Sequence, residues 1–155
     1  MNPRQARPRF HRPGPRRKCV LIVEDNASIG GLIAGLLRED GYRALRAWDG
    51  REALRLARDR RPDLILLDLD LPHKDGVEVL YELKQHKETR TAPIIVVSGN
   101  TIVLSDEDRE LLADMISKPF DIDVLLNAVR QALGDPVQEV MPKDYDLTDS
   151  HLHSW

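Results

Sequence analysis

Cysteine is almost missing from this 155-residue chain. Cys19 stands alone, so no internal disulfide can form, and its place at the head of an apolar run marks it as a small buried hydrophobe, not a reactive thiol. No apolar run reaches the roughly 18 residues a membrane crossing needs, and the basic start lacks the apolar segment of a signal peptide. A cytoplasmic location is the expectation. No internal repeat is present, His11, His86, His151 and His153 lack metal-ligand spacing with cysteine, and His73 nears the candidate site only by loop position. None of them is assigned a functional role. The length suits one domain with its own core and is too short for a regulatory domain plus a full effector domain.

Acid is also missing from residues 1–18, which hold Arg4, Arg7, Arg9, Arg12, Arg16, Arg17 and Lys18 among four prolines. The remainder, with 16 basic and 26 acidic residues, therefore carries about −10 behind a formal net charge of −3. Residues 1–18 have almost nothing to bury and read as a disordered basic arm. Such an arm can contact nucleic acid through phosphates, although a solvated arm is the more ordinary outcome. Residues 135–155 read as an acidic flexible tail ending in His-Leu-His-Ser-Trp. Between them, 19–134 is expected to form the folded domain.

What is present there is alternation. Val20–Val23, Leu64–Leu67 and Ile94–Val97 are continuously apolar, as central strands of a parallel sheet covered on both faces must be. Tyr42–Ala47 and Asp114–Ser117 mix polar and apolar residues and are predicted as edge strands. Ile29, Leu32, Ile33, Leu36 and Leu37 predict one helical face ending near Gly41. Asp49 with Glu52, Asp75 with Glu78, and Ser105 with Asp108 resemble capping boxes. A last helix is expected from Asp121 to Leu133, with Ile122, Leu125, Leu126 and Val129 inward and Gly134 as its stop. Five βα units with right-handed crossovers give an α/β, doubly wound, five-stranded parallel sheet of order 2-1-3-4-5, the flavodoxin-like arrangement.

In such sheets function gathers beyond the carboxyl ends of the strands. Glu24 and Asp25 follow the first strand, Asp68 the third, Ser98 the fourth, and Lys118 with Pro119 the fifth. Three carboxylates on one rim repel one another unless a cation intervenes, and Mg²⁺ suits an all-oxygen site of one or two carboxylates plus water and phosphate oxygens. Asp68 is then the candidate nucleophile for phosphoryl transfer, since a carboxylate is already ionised at neutral pH. Lys118 would neutralise one phosphoryl oxygen and Ser98 would donate a hydrogen bond to another.

The pieces VLIVEDN (Val20–Asn26), PDLILLDLDLPHKDG (Pro62–Gly76), PIIVVSG (Pro93–Gly99) and SKPF (Ser117–Phe120) resemble the receiver domains of two-component response regulators, here of the stand-alone type. That resemblance implies Mg²⁺ bound directly by Asp25, through water by Glu24, and by Asp68 and the backbone carbonyl of Asp70. It implies a sensor histidine kinase or histidine phosphotransfer protein as donor, a downstream protein target, and a cis bond before Pro119. A homodimer is compatible with it. Without a helix-turn-helix after Gly134, no direct DNA binding is expected. Asp70 and Asn100 fall where the family borders the path of hydrolytic water.

Two departures stand out: Met115 replaces the usual aromatic residue, and the stretch from Ser98 to Lys118 is short for the family. Two alternatives remain. One is a receiver-like interaction module that is no longer phosphorylated. The other is a phosphohydrolase of the haloacid dehalogenase type, whose Asp-x-Asp resembles Asp68-Leu69-Asp70 but lies on the first strand.

Overall fold

Parallel strands buried on both faces need helices above and below them, and the computed structural model, which describes residues 14–99 and 103–137, has that layering. The elements are β1 (Cys19–Val23), α1 (Ala27–Glu39), β2 (Arg43–Ala47), α2 (Gly50–Arg60), β3 (Leu64–Leu67), α3 (Gly76–Gln85), β4 (Ile94–Ser98), α4 (Asp106–Glu110), β5 (Asp114–Ser117) and α5 (Ile122–Leu133). All pairings are parallel and the order is β2-β1-β3-β4-β5. The expectations for Asn100, for residues 1–13 and for residues 138–155 lie outside the described residues.

Alternate strand residues supply two cores. Leu21, Val23, Ile65, Leu67 and Val96 pack with Leu54, Leu80 and Leu83 on the side of α2 and α3. Val20, Ile22, Leu66, Ile95 and Val97 pack with Ile33, Leu37, Leu125 and Val129 on the side of α1 and α5. Each large side chain so buried contributes roughly 1.5–3 kcal/mol, which is why the three central strands are continuous apolar runs. Cys19 is buried, and burial raises its thiol pKa, in keeping with a packing role.

The helix faces are rotated slightly from the sequence expectation. Leu32 is 51% exposed and Ile122 is 42% exposed, so neither belongs to its helix's inward face. In α1 the stripe centres on Gly30, Ile33, Ala34 and Leu37, and in α5 on Leu125, Ala128 and Val129. Small residues let the helices approach the sheet closely, and that turns the larger side chains at the margins outward. Strand β2 begins at Arg43, one residue after the expected Tyr42.

Only Ser105 with Asp108 makes a full capping box. Asp49 caps α2 through Glu52 N–H at 2.8 Å, but Glu52 reaches back to Trp48 N–H instead of the cap residue. Asp75 accepts from Val77 N–H at 2.8 Å, without a reciprocal bond from Glu78. Asn26, which opens α1, accepts from Ser28 and Ile29 N–H at 3.0 Å each. Gly134, at φ 70°, ends α5 in the left-handed conformation that favours glycine.

Lys18 and Asp135 are joined at the amino-terminal rim of the sheet. Lys18 Nζ lies 2.6 Å from Asp135 and donates to Leu133 O at 2.7 Å, while Tyr42 Oη donates to Asp135 at 2.9 Å.

Candidate functional site

Because all five strands run the same way, the residues that end them share one rim. Backbone bonds pin them there: Glu24 N–H donates to Ala47 O at 3.0 Å, Asp68 N–H to Val23 O at 3.0 Å, and Lys118 N–H to Ser98 O at 3.1 Å. The sheet ladder thus fixes Cα positions before any side chain interaction is considered.

The side chains converge. Lys118 Nζ lies 2.8 Å from Glu24 Oε1 and 2.9 Å from Asp68 Oδ2, bridging the first and third strands from the fifth. Glu24 and Asp68 are only 3% and 5% exposed, and Ser98 is fully buried. Asp68 Oδ1 accepts Asp70 N–H at 3.0 Å, and Ser98 Oγ lies 3.5 Å from Asp70 Oδ2. Asp25 is exposed at the mouth, with one carboxylate oxygen each of Glu24, Asp25 and Asp68 lying within 4.8 Å of one another.

One ammonium does not neutralise that cluster. Burial first, and then the neighbouring Asp68, push Glu24 up to about 7 against the opposing pull of Lys118. For Asp68, burial alone would raise the pKa, but the neighbouring Glu24, which takes up the proton in its stead, the Lys118 ammonium and the Asp70 N–H hold it below the usual carboxylate value. Burial works against charge on Lys118 too, and its two carboxylate bonds overcome it and raise its pKa. Glu24 Oε2 is buried without a hydrogen-bond partner among the described residues. An orphaned carboxylate oxygen beside two further oxygen donors fits a hard divalent cation, which binds oxygen and removes the repulsion.

Gly76 closes the floor. Its N–H donates to Leu69 O at 3.2 Å, and a Cβ added there would lie 2.7 Å from Leu69 O and 2.9 Å from Asp68 O. Those are backbone atoms with no rotamer to escape into, so only glycine lets α3 begin against the segment carrying Asp68. The peptide Lys118–Pro119 is cis.

The structure therefore brings together Glu24, Asp25, Asp68, Ser98 and Lys118, and adds the Asp70 side chain, which meets Ser98. Met115 is partly buried against the α2/α3 core, with Arg109 Nη1 at 3.6 Å from its sulfur. Helix α4, within the short stretch between Ser98 and Lys118, has five residues. Sequence reading missed the tether of that helix: Tyr81 Oη on α3 donates to Asp108 Oδ1 at 2.5 Å, while Asp108 Oδ2 accepts Ser105 N–H at 2.8 Å. No local pattern signals a bond between residues 27 apart.

Comparison with known proteins agrees with this geometry. Residues 20–130 match the response regulator receiver domain family. The polar-differentiation response regulator DivK of Brucella anthropi is 40% identical over 121 residues, covering 76% of this chain and 98% of that protein. Among solved structures, the receiver domain of sensor histidine kinase PA1611 from Pseudomonas aeruginosa, which carries a magnesium ion in its active site cleft, is 31% identical. It superposes with a TM-score of 0.70 over 77% of this chain and 100% of its own. A CheY-like receiver domain from Methylobacillus flagellatus is 28% identical, with a TM-score of 0.69 over 76% of this chain and 99% of its own. The Asp-x-Asp at the end of β3, not β1, is likewise the receiver arrangement and not that of a haloacid dehalogenase. The chain belongs to the response regulator receiver family, the phosphorylation-dependent signalling switches of two-component systems.

Proposed function

We propose that Asp68 is the phosphoacceptor of this switch, that Glu24, Asp25, Asp68 and the backbone carbonyl of Asp70 hold Mg²⁺, and that Ser98 and Lys118 serve the transferred group. The donor is a sensor histidine kinase or a histidine phosphotransfer protein, the output is a contact with a downstream protein target, and the setting is cytoplasmic. The switch unit is 19–134, flanked by the basic arm and the acidic tail. Bound Mg²⁺ supplies positive charge that shields the carboxylates and the phosphoryl oxygens.

The chain's own residues do the rest. Asp68, held ionised and fixed by the Asp70 N–H, attacks phosphorus, so its new P–O bond forms as the donor's P–N bond breaks. Lys118, already at Asp68 Oδ2, offers its ammonium to the developing charge without first having to be recruited. The Ser98 hydroxyl, buried at the end of β4, donates to a phosphoryl oxygen, and its bond to Asp70 gives way as it does so. That exchange carries the signal from the site into β4 as a shift between two conformations. Self-phosphorylation from small donors and slow autodephosphorylation accompany this role, without turnover of a substrate.

The observation that carries this reading is the Lys118 ammonium held between Glu24 and Asp68. Its test is intact mass after incubation with acetyl phosphate and Mg²⁺. One added phosphoryl group is expected, lost in Asp68→Asn and lost with a chelator. A gain that persists in Asp68→Asn, or no gain in the wild type, would overturn it.

A further inference from the structure

We propose that the β2 edge of the sheet, with the adjoining ends of α1 and α2, is a binding surface for single-stranded nucleic acid. Residues 38–61 contain eight arginines, no lysine and five acids. Four of the acids are occupied within the domain: Asp40 by Arg130, Asp49 by the Glu52 N–H, Glu52 by the Trp48 N–H, and Asp59 by Arg55. By contrast, Arg38, Arg43, Arg51 and Arg60 are exposed, and among the described residues none of them forms an ion pair, whereas Arg61 lines a separate cleft with Asp63 and Glu88. The cations on this edge are thus free to meet an outside anion.

Aromatic placement narrows what that anion is. Trp48 is 49% exposed and is the one large exposed apolar side chain between residues 38 and 61. The Arg46 guanidinium lies 4.7 Å from its ring centroid. Arg46 is seated by a bond from Nη2 to Ala27 O at 3.0 Å, and Gly30 leaves it room, since a Cβ there would come within 2.8 Å of Nη2. The indole is therefore held on a fixed cationic support, with half its surface open to receive a base.

Flat guanidinium groups suit phosphate better than point-charge ammoniums do, and an exposed indole among them suits unpaired bases. An anionic membrane would call for several apolar side chains beside the cations, and an acidic protein would leave the Trp48 platform unused. The chain entering β1 adjoins the same surface: Arg43 N–H donates to Lys18 O at 2.9 Å, with the exposed Arg17 next along, while Arg16 turns to Asp63 at 3.7 Å. Arg4, Arg7, Arg9 and Arg12 precede them in sequence. Recognition here is through backbone charge and stacking, without base-edge readout, and so without sequence preference.

The experiment is fluorescence anisotropy of labelled oligouridylate with the full chain across a salt series, alongside duplex DNA, phosphatidylglycerol vesicles and polyglutamate. Binding that weakens with salt is expected, with a slope of about −0.7 per phosphate contacted. Arg43→Ala with Arg60→Ala should flatten the slope by roughly 1.4, as two contacts are lost. Trp48→Ala should weaken oligouridylate binding about tenfold at unchanged slope while leaving duplex DNA unaffected, and Trp48→Phe should restore it. Absence of salt-sensitive oligouridylate binding, equal loss on duplex and single strand in Trp48→Ala, or preference for vesicles or polyglutamate would each overturn the proposal. Circular dichroism of each variant separates loss of binding from loss of fold.

Discussion

The buried Glu24 makes the pH dependence of stability a direct readout of the acidic pocket. Its pKa rises from 4.5 to about 7 on folding, chiefly by burial and then through Asp68. Between those values the folded state binds a proton that the unfolded state has released, so stability falls as pH rises through this window. A rise of that size corresponds to about 3 kcal/mol at full effect. Neighbouring titrations fall elsewhere: the lowered Asp68 affects stability below about pH 4, where it is lost as pH falls, and the raised Lys118 affects it above about pH 10, where it is lost as pH rises. Glu24→Gln keeps an oxygen acceptor for Lys118 and removes the titrating group. In the presence of a chelator, urea unfolding at intervals from pH 5 to pH 8 should show the wild type losing about 2.5 kcal/mol more than the variant. Added Mg²⁺ should return about 2.7 kcal/mol to the wild type at roughly a hundredfold excess over its dissociation constant, and less to the variant. Parallel stability curves for the two proteins would refute the reasoning.

Gly76→Ala should destabilise by about 1–3 kcal/mol, because the new Cβ meets backbone oxygens of Leu69 and Asp68; urea unfolding reads the loss, and the rate of phosphorylation from acetyl phosphate should fall with it. Tyr81→Phe should speed amide hydrogen exchange in α4 while leaving β1, β3 and β4 protected, since Asp108 loses its tether to α3. Asp70→Asn should change the autodephosphorylation rate, followed by loss of the phosphorylated mass with time, because the carboxylate that meets Ser98 borders Asp68.

Strand order and site were legible for the same reason. Leu64–Leu67 is buried on both faces and must be apolar throughout, so the first polar residue after it, Asp68, announces both the strand's end and the rim. The same logic located Glu24, Asp25, Ser98 and Lys118. Margins were less legible: Leu32 and Ile122 satisfy helical spacing, yet where a helix turns its stripe depends on how closely small residues such as Gly30 and Ala34 seat against the sheet. Asp49 and Asp75 were correctly read as caps, but their partners were not, because the reach of Glu52 to Trp48 depends on the path of the chain before the helix. Contacts between distant residues, such as Tyr81 with Asp108 and Arg46 with Ala27, leave no trace in local pattern at all.

The joining of Lys18 to Asp135 has a practical side. Strands β1 and β2 start at this rim, and α5 finishes there, so the chain enters and leaves the domain at neighbouring points, at the opposite pole from Asp68. A fluorescent reporter or affinity handle attached outside either residue would hang clear of the phosphorylation cleft. The same proximity suits circular permutation, with Lys18 and Asp135 bridged by a short linker and new ends opened elsewhere, or insertion of the whole domain as a cassette into a host loop.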